Sequence, residues 1–303
     1  MPRPGLKDRA HAVVASRRRA WPWFDHLIRA GGRYKEDLGD RMAAGVSYYG
    51  FLSFFPLLLL AISIIGFVLH KDPDRQAALL RRLNEYLPGV GRTLSDTLTS
   101  VKNNRVSTGA VGLLGLALSG LGWVDSLRES LRVMWHQDVT VGNIVKKRVL
   151  DLTVLAGLGL TIAVSIGVSA VATGATSWAL TQVGLKETFV AKLALKLLAI
   201  ALVIATDALL FLYLFVRLPR CPWPWRRVVR GALFAAVGFT LLKFVGAYYI
   251  GRTVSRFAAY GATFAALIGL LVWINLASRF TLFAAAWTVT SFGDDDVKPS
   301  GTA

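Results

Sequence analysis

The sequence predicts an all-α integral membrane protein: a bundle of six transmembrane helices with an amphipathic external helical hairpin and an interfacial N-terminal helix. Composition is the first observation behind this prediction. The chain has 303 residues and is only 17% charged, whereas soluble domains carry about 25% charged residues. The second observation is that long apolar stretches recur along the chain. None of them alternates with the period of two that a membrane β-barrel strand requires.

The first span is predicted from Ala43 to Leu69, where no side chain carries a charge. That stretch exceeds the roughly 20 residues that a helix needs to cross a bilayer core. A core helix of a soluble protein would keep a polar face, and a secretion signal would lie at the extreme N-terminus. Residues 1–42 are strongly charged instead, and they are predicted to form a basic cytoplasmic segment. Its sequence SRRRAWPWFDHLIRAGGRY mixes arginines with tryptophans, as interfacial helices do.

Five further apolar stretches complete a transmembrane domain over residues 43–290. They are Thr108–Val124, Val149–Trp178, Leu193–Val216, Val228–Ile250 and Tyr260–Thr290. The charged sequence DSLRESLRVMW, which follows the second span, is expected to leave the membrane and lie on its surface. The external loop 70–106 keeps helical spacing on both sides of LPGVG, which predicts a hairpin of two amphipathic helices. The tail, 291–303, is predicted to be disordered.

The distribution of basic residues predicts the orientation of the bundle. Of 35 Lys and Arg residues, 21 fall on the side of the two termini, 11 fall on the other side and three lie inside the spans. The excess predicts that both termini are cytoplasmic. Most of the net charge of +17 then faces anionic headgroups, so the expected partner is the phospholipid bilayer and not nucleic acid. The oligomeric state is left open.

Enzymatic activity is not expected, because no constellation of catalytic residues is visible. The four histidines, His11, His26, His70 and His136, are far apart in the sequence, and the single cysteine is Cys221. Neither residue type therefore has the spacing of a metal site. No cofactor is expected, and hydrolysis of RNA is disfavoured because it usually requires a bound metal.

Polar residues at depth in the predicted spans are the candidate functional residues. From a rise of about 1.5 Å per residue, Asp207 and Asn275 come out at a similar depth, with Lys243 nearer the outer surface. The full candidate set for a polar cavity is Asp207, Asn275, Lys243, Arg279, Tyr48, Tyr49 and Ser53, with a helix kink at Pro56. Lys243 would bind an anionic or zwitterionic headgroup, with Asp207 as a protonation switch. Packing hydrogen bonds and snorkelling are the alternative roles.

Several stretches of the chain resemble the YihY/BrkB family of bacterial inner-membrane proteins. RMAAGVSYYGFLSFFPLLLLAISIIG resembles the first span of the family through Ala43, Ala44, Tyr48, Tyr49, Ser53, Phe55, Pro56, Leu57 and Leu58. Similar segments surround Trp123 and Trp135, Tyr213 and Pro219, and Tyr260 and Trp273. The resemblance implies six spans and an inner-membrane location. The family often has Gly-Ala-Glu near the end of its last span, whereas this chain has Ala284, Ala285 and Ala286, so that carboxylate is missing.

Two functions are compatible with the sequence. A transporter or lipid-handling protein, flippase-like and of unknown substrate, accounts for the spans, the polar residues at depth and the external loop. A structural or assembly membrane protein without transport activity accounts for the spans and for their many small residues. The second function leaves Asp207 and Lys243 unexplained, so the first is preferred.

Overall fold

The computed structural model describes residues 21–68, 105–138, 147–161, 189–219, 224–257 and 262–290, which form seven helices and contain no strand. We number the helices α1 (Pro22–Glu36), α2 (Gly39–Val68), α3 (Arg105–Met134), α4 (147–161), α5 (Phe189–Arg217), α6 (Trp225–Phe257) and α7 (Ala262–Thr290). The all-α fold class is confirmed. Five helices, α2, α3, α5, α6 and α7, are long and apolar enough to cross a membrane.

Several sequence predictions fall on parts of the chain that the structure does not describe. The third predicted span, Val149–Trp178, is described only through α4, which is helical from 147 to 161. Most of the external loop 70–106, and with it the hairpin, lies outside the described residues, as do residues 1–20 and the tail 291–303. The six-span count and the hairpin therefore stay predictions.

Helices α2 and α3 pack closely because glycines of α3 face α2. A Cβ atom at Gly112 would lie 2.9 Å from the backbone nitrogen of Leu60, and one at Gly115 would lie 3.1 Å from the ring of Pro56. Small residues allow such close approach of helices in membranes. Pro56 itself lies inside α2, which is one continuous helix.

The hydrophobic core lies towards one end of the bundle, which we call the α1 end because α1 packs there. The α1 end of the bundle contains the first turns of α2, α4 and α6 and the last turns of α3, α5 and α7. The core residues are all within about three turns of those helix ends, as Val46, Leu131, Val154, Phe215, Ala235 and Leu282 illustrate. We call the opposite end the far end.

The second half of α3 corrects one sequence expectation. The sequence DSLRESLRVMW does not lie on a surface, because α3 continues through it to Met134. Its apolar stripe is fully buried in the core, with Leu127 at 2% exposure and Leu131 and Met134 at 0%. The indole nitrogen of Trp135 then donates a hydrogen bond to the carbonyl of Ala285 in α7, at 3.1 Å. Burial of this stripe between neighbouring helices outweighs the solvation of its few charged side chains.

Helix α1 packs against the ends of α3 and α7. The ring of His26 stacks on Trp287, with 4.4 Å between centroids, and its Nε2 lies 2.9 Å from the Trp287 carbonyl oxygen. The guanidinium of Arg33 donates to the carbonyl of Met134 from Nε and Nη2, at 3.3 and 3.2 Å. Burial lowers the pKa of His26 below its ordinary value of 6.5, because the half-buried site disfavours the imidazolium.

Candidate functional site

An ion pair between α5 and α6 is the principal polar feature beyond the core. The ammonium of Lys243 lies 2.7 Å from each carboxylate oxygen of Asp207. The hydroxyl of Thr240, one turn before Lys243, donates to Oδ2 of Asp207 at 3.0 Å. Because the charges of this pair neutralise each other, the cost of placing them within a span is much reduced.

Aromatic rings connect this ion pair to α7. The ammonium of Lys243 lies 5.1 Å from the centroid of the Phe239 ring, within the range of a cation–π contact. The Phe239 ring also contacts Phe211 in α5, at 5.4 Å, and Trp273 in α7, at 6.4 Å between centroids. The ring therefore fixes the ammonium at the junction of three helices.

Asn275 forms a second polar contact, between α7 and α2. Its side-chain nitrogen donates to the hydroxyl of Ser47 at 3.1 Å. That hydroxyl in turn donates to the carbonyl of Ala43 one turn earlier in α2. Among the hydrogen bonds and ion pairs of the described residues, none joins this contact to the Asp207–Lys243 pair.

The other residues of the predicted set lie apart from both contacts. The guanidinium of Arg279 is half-exposed and lies 3.5 Å from the carboxylate of Asp40, near the start of α2. Tyr48 and Tyr49 are 59% and 40% exposed and contact each other edge to face. Ser53 is buried, and its hydroxyl donates to the carbonyl of Tyr49 at 2.7 Å.

The inward-facing sides of four helices change from buried to exposed towards the far end. Residues eleven positions apart lie on the same side of a helix, because eleven residues make three turns. In three such pairs the first residue, nearer the α1 end, is at most 5% exposed and the second is at least 39% exposed: Val124 and Leu113, Leu214 and Val203, Leu282 and Leu271. In a fourth pair Ala232 is 2% exposed, and the side chain of Lys243 is 39% exposed. These sides of the helices are therefore buried near the α1 end and exposed in the far half, although α2 and α3 stay in contact there at Gly112 and α6 and α7 at Gly246.

A second group of buried charges lies between α3 and α4, nearer the α1 end. The guanidinium of Arg128 contacts Asp151 at 2.6 Å and Asp125 at 3.0 Å. Lys147 also contacts Asp125, at 2.6 Å, and lies 3.7 Å from Glu129. The Arg128 and Asp151 side chains are only 7% and 2% exposed. Asp125 and Arg128 are three residues apart on α3, and their contacts with Lys147 and Asp151 join α3 to α4.

No group of three or more His, Cys, Asp or Glu side chains that could hold a metal ion is present among the residues described. The two groups of charges described above have ammonium or guanidinium partners at their carboxylates. Their chemistry is therefore that of ion pairing and of binding charged groups.

Three residues of these contacts are not among the candidate residues predicted from the sequence. Thr240 precedes Lys243 by three positions, a spacing that places both on the same face of α6. Asp151 lies near the start of the predicted span Val149–Trp178, and a charge inside an apolar stretch is a visible signal. Ser47 gave no such signal, because serine in a membrane helix usually bonds to its own backbone.

Comparison with known proteins gives a consistent result. A profile of the family described as virulence factor BrkB matches residues 30–300. An uncharacterized protein of Dickeya dadantii is 31% identical over 286 residues, covering 92% of this chain and 87% of that protein. The inner membrane protein YhjD of Escherichia coli is 30% identical, covering 92% and 85% of the two chains. A UPF0761 membrane protein of Methylibium petroleiphilum is 26% identical, covering 93% and 65%. No solved structure matches the chain.

Proposed function

The chain belongs to the BrkB family of membrane proteins, and on that premise we propose that it is a transporter or lipid-handling protein of the bacterial inner membrane. Both termini and α1 face the cytoplasm in this proposal, and the far end faces outwards. The protein carries a lipid or a small solute and is not an enzyme. The inner-membrane assignment is supported by the name of the Escherichia coli relative and by the excess of basic residues on the side of the two termini.

One observation carries the proposal: the inward-facing sides of the helices become exposed at the level where a buried carboxylate meets an ammonium. A purely structural bundle gains stability by continuing its core along the full length of the helices. Here the buried sides of the described helices become exposed in the far half, and on the Ala232 side of α6 the charged side chain of Lys243 follows the buried residues. A space entered from outside, with Asp207 and Lys243 at its floor, accounts for both facts.

The closed α1 end fits one state of an alternating-access cycle. The core residues, the Trp135–Ala285 hydrogen bond and the Arg128–Asp151 pair close the bundle at the α1 end. Transport would require these contacts to open while the far end closes. In this cycle Asp207 exchanges Lys243 for another partner, such as a proton, when the substrate binds.

The first experiment measures whether water enters the far half of the bundle. The single cysteine is replaced (Cys221→Ser), and a new one is placed at Val203 or Leu271 on the inward-facing sides. Val245 and Val272, exposed on outward-facing sides of α6 and α7, are the matched controls. A membrane-impermeant thiol reagent added from outside should label the inward-facing positions and not the controls. Equal protection of all four positions from the reagent would favour the alternative function, that of a structural or assembly membrane protein without transport activity.

The second experiment measures movement across vesicle membranes that contain the purified protein. Asp207→Asn should abolish or uncouple lipid scrambling or solute flux without loss of expression or folding, because the amide keeps the shape but not the charge. Asp207→Leu should have the same effect, although leucine suits a membrane span better. A better-folded Asp207→Leu protein with unchanged flux would show that Asp207 is merely a tolerated polar residue.

A further inference from the structure

We propose that the substrate is an anionic amphiphile, a phosphate-bearing lipid whose headgroup binds Lys243 and whose hydrocarbon lies against the apolar sides of α3, α5 and α7. This inference rests on the transport function proposed above and adds the class of molecule that is carried.

An incoming molecule can reach only one of the two charges of the Asp207–Lys243 pair. The Lys243 side chain is 39% exposed, whereas that of Asp207 is 11% exposed. Both oxygens of the carboxylate are already engaged, by Lys243 and by Thr240. The accessible charge is therefore the ammonium, and the group that it selects is an anion.

Apolar side chains are exposed in the far halves of the other helices. The inward-facing positions beyond the core in the other three helices are Leu113, Val203 and Leu271, which are 58%, 39% and 43% exposed. A small hydrophilic anion would lose hydration beside these side chains without gaining polar partners. A hydrocarbon chain would cover the same surfaces and remove them from water. One reachable cation, together with apolar side chains that are exposed in the far halves of three other helices, matches a molecule that has an anionic head and an apolar tail.

Binding of the headgroup would exchange the partner of Lys243. The Asp207 carboxylate occupies the position that a phosphate oxygen of the headgroup would take, at 2.7 Å from the ammonium. Asp207 therefore competes with the substrate for the ammonium. Removing its charge should strengthen binding of the anionic lipid while stopping the cycle, because the ammonium would have no internal partner to return to.

The test compares lipids in vesicles of phosphatidylcholine that contain the full-length protein. Fluorescent phosphatidylglycerol should cross the membrane about tenfold faster than fluorescent phosphatidylcholine, the difference expected of one charge-assisted hydrogen bond. Lys243→Met should remove this preference and Lys243→Arg should keep it. Arg279→Met, which removes a half-exposed cation paired with Asp40, should leave the preference unchanged. Asp207→Asn should bind phosphatidylglycerol more tightly than the unmodified protein.

Three outcomes would overturn the inference. Equal rates for the two lipids would exclude selection of an anionic headgroup. Transport of soluble glycerol phosphate or inorganic phosphate, with no movement of lipid, would show that the anion is not an amphiphile. Movement of neither class, together with thiol labelling at Val203 and Leu271, would reject this substrate class while leaving the outward-open space intact. Absence of that labelling would instead reject the proposed function itself.

Discussion

Replacing Arg128 with methionine should be among the most destabilising changes in the described part of the chain. The substitution keeps a long apolar side chain and removes the guanidinium that contacts both Asp151 and Asp125. Asp151, 1% exposed, then remains as a buried carboxylate without its cation. Breaking a buried ion pair by removing one partner costs about 3–5 kcal/mol.

A matched control is available on the surface of α1. Arg29 and Asp25 form an ion pair of 3.0 Å, but their side chains are 40% and 27% exposed. Exposed pairs at this helical spacing contribute no more than about 0.5 kcal/mol. Arg29→Met should therefore be nearly neutral, although the residue types and the distance are similar to those of the buried pair.

The assay is reversible unfolding in mixed micelles of lipid and detergent, followed by far-ultraviolet circular dichroism. The double variant Arg128→Met with Asp151→Leu should recover most of the loss, because an apolar pair replaces a buried ion pair at little cost. The reasoning would be refuted by a loss for Arg128→Met within about 0.5 kcal/mol of that for Arg29→Met. A double variant as unstable as the single one would refute it as well.

Three further predictions concern other contacts of the fold. The site of His26 against Trp287 favours the neutral imidazole, so the stabilisation of α1 is present above pH 6.5 and is lost as the pH falls below that value. Hydrogen-exchange protection of α1 should therefore decrease on acidification. An equal decrease in the His26→Gln variant would contradict this explanation. Gly112→Ala should lower the free energy of unfolding by about 1–3 kcal/mol, because its Cβ would meet the backbone of α2. Gly159→Ala, which has open space around its Cβ, should not lower the free energy of unfolding in the same assay. Ser47→Ala, which removes the acceptor of Asn275, should cost only about 0.6 kcal/mol, and a loss several times larger would indicate a wider polar network.

The depth of a residue within its span could be estimated from the sequence, but the side chain with which it pairs on another helix could not. A constant rise per residue placed Asp207, Asn275 and Lys243 within the spans. It set Asp207 level with Asn275, yet the structure pairs Asp207 with Lys243 and Asn275 with Ser47. Helix tilt and rotation about the axis decide which side chains meet, and neither follows from counting residues.

The sequence by itself determined the class of the protein, because the length of an apolar stretch and the positions of basic residues answer directly to the thickness and charge of a bilayer. It also indicated which polar side chains lie at depth. Only the tertiary structure decided which side of each helix faces inwards, as Leu209 and Phe211 illustrate: both are apolar and lie on roughly opposite sides of α5, yet Leu209 is 61% exposed and Phe211 is 2% exposed. The physical reason is that lipid and protein core are equally apolar, so a membrane helix carries little amphipathic pattern, and packing against its neighbours decides its orientation.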